Sequence, residues 1–374
     1  MDLSALFWLA AKALAIAALP LAYVTSSRDP DKHRKLTWVT AFLTLDLIMF
    51  GAFTRLTDSG LGCPDWPGCY GHSNPLSAGV HIRAAETALP SGPVTMTKAW
   101  IEMLHRYFAM AVGFLIIVLT VLAWRRHLRV RRHSPWLATI ALVAVCLQGA
   151  FGALTVTMRL QPAIVTLHLL GGVGLLALLT WLALRESPVP AVDRHAASWR
   201  PLAALGALLL VVQIALGGWV SANYAVLACP DFPTCHGLAV PPEMDFGSGF
   251  TVWRDLGMTA DGAPIPFQAL VAIHWTHRSF AYAVIAVLGL LAWRLWPLAG
   301  VAPLARALAA LLVLQFATGL TSVVLDWPLL LAVLHSGGAA VLVALLVAIN
   351  HRLAAAGEVP AGGFAASAPV QGHG

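Results

Sequence analysis

The sequence predicts an all-α polytopic membrane protein with nine transmembrane helices. Three observations predict this class: 59% of the residues are hydrophobic and only 11% are charged, long apolar runs recur, and basic residues gather in alternate loops. A spanning helix needs roughly 20 apolar residues, and a backbone inside the hydrocarbon core must hydrogen-bond to itself. The runs lie near residues 3–24, 36–55, 103–124, 136–158, 162–184, 201–222, 270–293, 303–325 and 328–349.

The distribution of lysine and arginine predicts the orientation of these helices. The linkers 25–35 and 125–135 carry four and five basic residues, and further arginines lie in 185–200, in 294–306 and at Arg352. The positive-inside rule makes these alternate loops cytoplasmic, with the N-terminus outside and the C-terminus in the cytoplasm. The first run lacks the basic start and the cleavage site of a signal peptide, so we expect a retained helix. No basic face of a soluble element is visible, so we expect no nucleic-acid partner.

Two long loops, about 56–99 and 223–267, then fall outside, and each contains a cysteine pair. Each pair encloses five residues with two prolines; the pairs are Cys63 with Cys69 and Cys229 with Cys235. This spacing favours a disulfide that stabilises the loop, which suits an oxidising compartment. A redox role, in which an exposed disulfide exchanges beside a redox site, is the alternative.

An internal repeat divides the chain. The stretch 62–71 (GCPDWPGCYG) recurs 166 residues later as 228–237 (ACPDFPTCHG). We expect two tandem four-helix bundles related by a pseudo-twofold axis along the membrane normal, because four helices per repeat give both halves the same orientation. The expected division is an extra N-terminal transmembrane helix with a cytoplasmic linker (1–30), the two halves (31–185 and 201–352), a cytoplasmic linker between them (186–200) and a disordered cytoplasmic tail (353–374).

A charged motif stands at the head of the third apolar run. Glu102 and His105 are three residues apart and share one face of a helix, and Arg106 follows. Ionisable groups inside a bilayer are costly and are functional candidates. A similar group opens the seventh run, where His274 takes the place of Glu102; its other members are His277 and Arg278.

Four histidines lie at similar depths, two in each repeat, about 9–15 Å below the outer surface at 1.5 Å per helical residue. They are His105, His168, His277 and His335. Two histidines that face each other across a helical bundle suit axial ligation of a haem iron, whereas zinc prefers four nitrogen or sulfur ligands in a tetrahedron. Buried polar histidines that bond a neighbouring helix are the alternative.

Arg55, Arg106 and Arg278 lie near the outer interface, where each can pair with a haem propionate or reach lipid headgroups. A weaker motif recurs in three helices, with a glutamine four residues before a glycine and a Thr or Ser three or four residues after it: Gln148/Gly152/Thr155, Gln213/Gly217/Ser221 and Gln315/Gly319/Ser322. Asp46 with Gly51 is a looser version of the motif in the second apolar run. We favour helix packing as its role. A flat ligand lying on the glycine surface is the alternative.

Taken together, the stretch 51–69 (GAFTRLTDSGLGCPDWPGC), the motif Glu102-x-x-His105-Arg106, the later paired histidines and the duplication resemble the haem A synthase family, in its proteobacterial form. The resemblance covers about residues 36–350. The extra first helix departs from the family's common eight-helix plan, and we assign it no role.

The resemblance implies an enzyme of the bacterial inner membrane that oxidises the C8 methyl of haem O to the formyl of haem A by successive hydroxylations, for terminal cytochrome oxidases. It implies that His105 and His168 ligate the substrate haem, with Glu102 as the essential carboxylate. In the C-terminal half, His277 and His335 would ligate a haem b. In that half His274 replaces the carboxylate, which suits an electron-transfer haem. Further cofactor-binding candidates are His274, Arg55, Arg106 and Arg278.

Implied partners are a haem O synthase, an electron donor for which quinol is one candidate, cytochrome oxidase assembly factors and membrane lipid. A second copy of the chain, in a homo-oligomer, is a further candidate partner. A di-haem cytochrome b that transfers electrons without porphyrin chemistry is the alternative function, although it leaves the difference between Glu102 and His274 unexplained. A transporter or scaffold with structural histidines is a further one.

Overall fold

The computed structural model describes residues 3–130 and 134–357, and the regular secondary-structure elements of this part are helices. Nine of its helices are long and apolar enough to cross a membrane, which confirms the expected all-α multi-span fold. The helices are α1 (Leu3–Ser26), α2 (Lys32–Leu56), α3 (Gly79–Ala88), α4 (Met96–Arg129), α5 (Trp136–Thr157), α6 (Pro162–Arg185), α7 (Arg200–Ala222), α8 (Phe246–Gly249), α9 (Phe267–Leu295), α10 (Ala302–Val324) and α11 (Leu329–Gly357). A 3-10 helix, Arg194–Trp199, leads into α7.

Capping side chains decide where the helices that carry the candidate site begin. Thr95 accepts a hydrogen bond from the backbone N–H of Lys98, and α4 therefore starts at Met96 rather than near residue 103. Gln161 caps α6 in the same way at Ile164, and Pro162 occupies its first turn, where a missing N–H costs nothing. The early start of α4 places the charged motif in its second and third turns.

The last helix corrects one expected boundary. We predicted a disordered tail over 353–374, but α11 continues to Gly357. Leu353 is fully buried and Ala356 nearly so, because both pack in the apolar core. Residues 358–374 of the expected tail lie outside the described residues.

The helices pack as two four-membered rings. In the first ring α2 contacts α4 and α6, and α5 contacts the same two helices; in the second ring α7 contacts α9 and α11, and α10 contacts the same two. The rings meet where α2 packs on α11 and α6 packs on α7 and α11. Both rings therefore have the same order of neighbours, as the expected pseudo-twofold requires, and the symmetry operation itself stays a prediction.

Local backbone features repeat at the offset seen in the sequence. Asp58 and Tyr224 both have φ of 54°, as expected if the same turn ends α2 and α7. Two contacts join residues 166 apart: Arg55 Nη2 donates to the carbonyl of Ser221 at 2.6 Å, and the Tyr224 hydroxyl donates to Asp58. Contacts between equivalent positions form where a twofold axis runs through an interface.

The extra first helix packs outside the first ring, mainly against α4. Leu9 lies in a buried cluster with Met103, Tyr107 and the Cys63–Cys69 pair. Lys12 Nζ donates to Ser73 Oγ at 3.0 Å, in the first outer loop. Helix α1 therefore braces the loop of the N-terminal half.

Candidate functional site

Each of the four candidate histidines places its imidazole against a glycine of a neighbouring helix. A Cβ atom at the glycine would lie 2.9–3.3 Å from the imidazole Cε1 in every case, too close for the ring to keep its place. The pairs, with that distance, are Gly51–His105 (3.1 Å), Gly152–His168 (3.3 Å), Gly217–His277 (2.9 Å) and Gly319–His335 (3.0 Å). The glycines of the weak motif therefore make room for the histidine rings as their helices pack.

The glutamines of the same motif hold the histidine helices. Gln148 Nε2 donates to the backbone carbonyl of His168 at 2.7 Å, and Gln213 Nε2 donates to that of His277 at 3.1 Å. These contacts support helix packing as the role of the motif. Sequence spacing did not reveal that its glycines would meet the four histidines.

Within each ring, the two histidine-bearing helices stand at opposite corners. Helices α4 and α6 carry His105 and His168, and each packs on α2 and α5. Helices α9 and α11, which carry His277 and His335, are arranged equivalently. A group ligated by both members of a pair therefore belongs in the interior of its ring.

The ring nitrogens of the first histidine pair have no hydrogen-bond partner in the part of the chain that the structure describes. Nδ1 of His105 and Nδ1 of His168 are buried without a hydrogen-bond partner among the described residues. Both histidines as whole residues are nevertheless partly exposed. Nε2 is left as the ring nitrogen for iron, and a bis-imidazole haem is compatible with this donor set.

Glu102 lies at the centre of a buried polar unit, with 4% of its surface exposed. Its Oε2 accepts a hydrogen bond from the Cys63 N–H at 2.8 Å, and its Oε1 pairs with Arg106 one turn along α4. Arg106 also donates to the backbone carbonyls of Asp65, at 2.8 Å, and Gly68. The carboxylate, the guanidinium and the cysteine loop therefore hold one another in place.

The C-terminal half builds the same unit without the carboxylate. His274 Nδ1 accepts a hydrogen bond from the Cys229 N–H at 3.2 Å. Arg278 donates to the carbonyls of Thr234, at 3.1 Å, and Cys229, at 3.4 Å. The difference between the halves is thus a carboxylate paired with an arginine in one and an imidazole beside an arginine in the other.

Both cysteine pairs form disulfides, with S–S distances of 2.10 Å for Cys63–Cys69 and 2.00 Å for Cys229–Cys235. All four cysteines are at most 2% exposed. The redox alternative assumed exposed disulfides, and burial shields these from an external thiol. The loop role is the one that the contacts support, because each loop supplies the N–H and carbonyl groups of its polar unit.

A loop aspartate helps to shape each disulfide loop. Asp231 accepts hydrogen bonds from the Thr234 hydroxyl and from the backbone N–H groups of His236 and Gly237. The Thr234 hydroxyl, followed by the Gly237 N–H, lowers the pKa of Asp231 to about 2. Asp65 accepts the equivalent backbone bonds in the first loop. Neither aspartate was singled out from the sequence, although both stand in the repeated motif.

Arg55 lies where the two halves meet at the outer side. Besides its bond to Ser221, its guanidinium lies 4.0 Å above the ring of Tyr224 and 3.5 Å from Asp58. Its Nε is buried without a partner among the described residues. Arg106 and Arg278 bond to the cysteine loops, so the structure gives protein partners to all three arginines that we considered for propionates or headgroups.

A residue that we did not single out contacts the fourth histidine. Thr318 Oγ1 lies 3.1 Å from His335 Nδ1. The only sequence signal is its position directly before the motif glycine, where the first half has Phe151.

Residues 34–347 match the model of the COX15-CtaA family, described as cytochrome oxidase assembly protein. The chain is 38% identical to the heme A synthase of Shewanella oneidensis over 85% of this chain and 97% of that protein. It is 32% identical to the heme A synthase of Sphingopyxis alaskensis (87% of this chain, 92% of that protein) and 30% identical to that of Caulobacter vibrioides (88% and 99%). A match of this extent shows that the chain belongs to the COX15-CtaA family of cytochrome oxidase assembly proteins.

Proposed function

We propose that this chain is a haem A synthase, which oxidises the C8 methyl of haem O to the formyl group of haem A. The observation that carries the proposal is the difference between two otherwise similar polar units. Glu102 is held by the Cys63 N–H and Arg106 one helical turn from His105, whereas His274 stands in its place in the other half. The names of the relatives favour this function over a di-haem cytochrome b without porphyrin chemistry.

The two histidine pairs have different proposed roles. We propose that His105 and His168 ligate the substrate haem O in the first ring, and that His277 and His335 ligate a resident haem b in the second. A bound haem b would supply one-electron transfer. The similar placement of the four imidazoles on glycines supports four ligand roles.

Glu102 is the proposed catalytic carboxylate. A positioned carboxylate beside the substrate can accept a proton from a water that reacts at the methyl carbon, or hold that water in place. Arg106 and the Cys63 N–H fix both carboxylate oxygens, which limits the directions from which water can approach. His274 brings no negative charge to the equivalent place, which suits electron transfer without proton chemistry.

The topology and partners belong to the same proposal. The distribution of basic residues supports a bacterial inner membrane protein with its N-terminus and cysteine loops in the periplasm and its C-terminus in the cytoplasm. The repeated ring order supports a pseudo-twofold along the membrane normal. For the conversion of haem O to haem A, the proposed partners are a haem O synthase as the source of substrate, quinol as a candidate electron donor and oxidase assembly factors as acceptors of the product.

Co-expression with a haem O synthase tests the function. Wild-type protein should yield formyl haem on extraction and chromatography. Glu102→Gln, which keeps the shape of the side chain, should lower haem A by about 100-fold or more, the usual range for a general base, while haem b content stays the same. Glu86→Gln, a change in α3 of the same outer loop, is the matched control and should leave the yield unchanged.

Two outcomes would contradict the proposal. Absence of formyl or hydroxymethyl haem from wild-type extracts would leave a simple cytochrome b as the better explanation. Full haem A yield from Glu102→Gln would remove the catalytic role of the carboxylate. For the second ring, His277→Leu should abolish the spectrum of a b-type haem, and retention of that spectrum would reject the ligand assignment.

A further inference from the structure

We propose that Thr318 is a positioning residue that holds His335 for iron, and that this hydroxyl makes the C-terminal haem resident while its absence leaves the N-terminal haem exchangeable. The inference rests on the proposed function, because it assigns one haem to each ring. It concerns the retention of haem rather than the oxidation of the methyl group.

The geometry at Thr318 selects one tautomer of His335. Thr318 is buried in α10, and its hydroxyl oxygen lies 2.9 Å from the Leu314 carbonyl and 3.1 Å from His335 Nδ1. A hydroxyl has one hydrogen, and the Leu314 carbonyl accepts it. A lone pair of Oγ1 then accepts the Nδ1–H of His335, so that Nε2 remains unprotonated and free to bind iron.

The N-terminal half has the same ring placement without the hydroxyl. An added Cβ at Gly152 would lie 3.3 Å from His168 Cε1, much as one at Gly319 would lie 3.0 Å from His335 Cε1. The residue before Gly152 is Phe151, whose side chain has no hydrogen-bonding group. Nδ1 of His168 is buried without a hydrogen-bond partner among the described residues. No hydroxyl therefore fixes the tautomer of His168.

A partner on the second ring nitrogen affects how firmly a histidine holds a metal. It fixes the orientation of the ring and makes the ligating nitrogen more basic, and its loss typically lowers metal affinity by about 10–100-fold. A site for substrate and product must release its haem in every cycle, whereas an electron-transfer site must keep it. The placement of Thr318 and Phe151 matches this division.

The test measures haem loss from full-length, haem-loaded protein in detergent, with excess apomyoglobin as the haem acceptor and the Soret band as the signal. Wild-type protein should lose haem in a fast phase from the N-terminal ring and a slow phase from the C-terminal ring. Thr318→Val should speed the slow phase about 10-fold, in line with the second-shell range, and should alter the low-spin haem signal in electron paramagnetic resonance. Phe151→Thr should slow the fast phase.

Two variants separate the hydrogen bond from packing. Thr318→Ser keeps the hydroxyl and should retain haem like the wild type. Thr321→Val removes a hydroxyl one turn further along α10, whose bonds among the described residues go to the carbonyls of Ala317 and Thr318 alone. It should leave both phases unchanged.

Equal rates for Thr318→Val and Thr321→Val would overturn the inference, as would equal losses from Thr318→Val and Thr318→Ser. Either result together with normal haem A formation would leave the proposed function intact. A wild-type protein that contains no haem, or that forms no haem A, would instead refute the proposed function.

Discussion

Replacement of Gly217 by alanine tests whether the histidine rings lie on the glycines. A Cβ atom there would be 2.9 Å from Cε1 of His277, 3.5 Å from Nδ1 and 3.6 Å from Nε2. Carbon atoms in favourable contact are about 3.5–4.0 Å apart. The imidazole must therefore move by roughly 0.6 Å or more, which exceeds the tolerance of about 0.5 Å for a positioned functional side chain.

The expected cost follows from two opposing effects. Overpacking of this kind costs about 1–3 kcal/mol, whereas alanine in place of glycine in a helix interior stabilises by up to about 1 kcal/mol. Gly289→Ala in α9 is the matched control, because a Cβ at Gly289 meets nothing within 4 Å. The free energy of haem binding should therefore be about 1–3 kcal/mol less favourable in Gly217→Ala than in Gly289→Ala. This difference corresponds to roughly 5–150-fold in haem retention at 1.4 kcal/mol per factor of ten.

The assay is the haem content per polypeptide after purification, followed by thermal unfolding in detergent. Gly217→Ala should lose the b-type haem, and Gly289→Ala should keep it with an equal or higher Tm. The same change at the other motif glycines should have effects in the order of their distances, with Gly152 the most tolerant. If Gly217→Ala retained haem and stability like Gly289→Ala, the contact between glycine and imidazole would be refuted.

Further predictions concern the cysteine loops. Arg106→Ala should lower the free energy of unfolding by about 3–5 kcal/mol, because it leaves Glu102 buried without its charge partner. Arg278→Ala should lower it clearly less, because no carboxylate is left behind. Thermal unfolding compares the two variants, and equal losses of stability would show that the ion pair is not the cause. Lys12→Met should cost about 1.5–3 kcal/mol, as for a hydrogen bond to a charged group, by removing the bond to Ser73 Oγ. Limited proteolysis should then cut the first outer loop faster than in the wild type while the second loop is unaffected, and unchanged cleavage would count against a bracing role of α1.

The candidate ligands and the carboxylate were predictable from the sequence because each is a type of residue that a bilayer interior disfavours. His105, His168, His277 and His335 stand out within apolar runs at matched depths. Their tertiary neighbours were less visible, because glycine and threonine are common in transmembrane helices and carry no such cost. The contact of Gly51 with His105 and that of Thr318 with His335 therefore emerged only from the packing of the helices.

The partners of Glu102 were also not predictable from the sequence. The sequence placed it one turn from His105, but its partner Cys63 is 39 residues away and donates through a backbone N–H that any residue could offer. The arginines were assigned to haem propionates or headgroups from their depth alone. Packing of the disulfide loops against α4 and α9 offered Arg106 and Arg278 backbone carbonyls instead.

By itself, the sequence determined the nine spanning helices, their expected orientation, the repeat and the four histidines, because hydropathy, charge and spacing along one chain govern each of these. The tertiary structure alone decided which glycine receives each imidazole, which hydroxyl reaches His335 and how one carboxylate is held between an arginine and a disulfide loop. Those arrangements depend on distances of a few ångströms between segments far apart in the chain, and such distances are settled only when the helices pack.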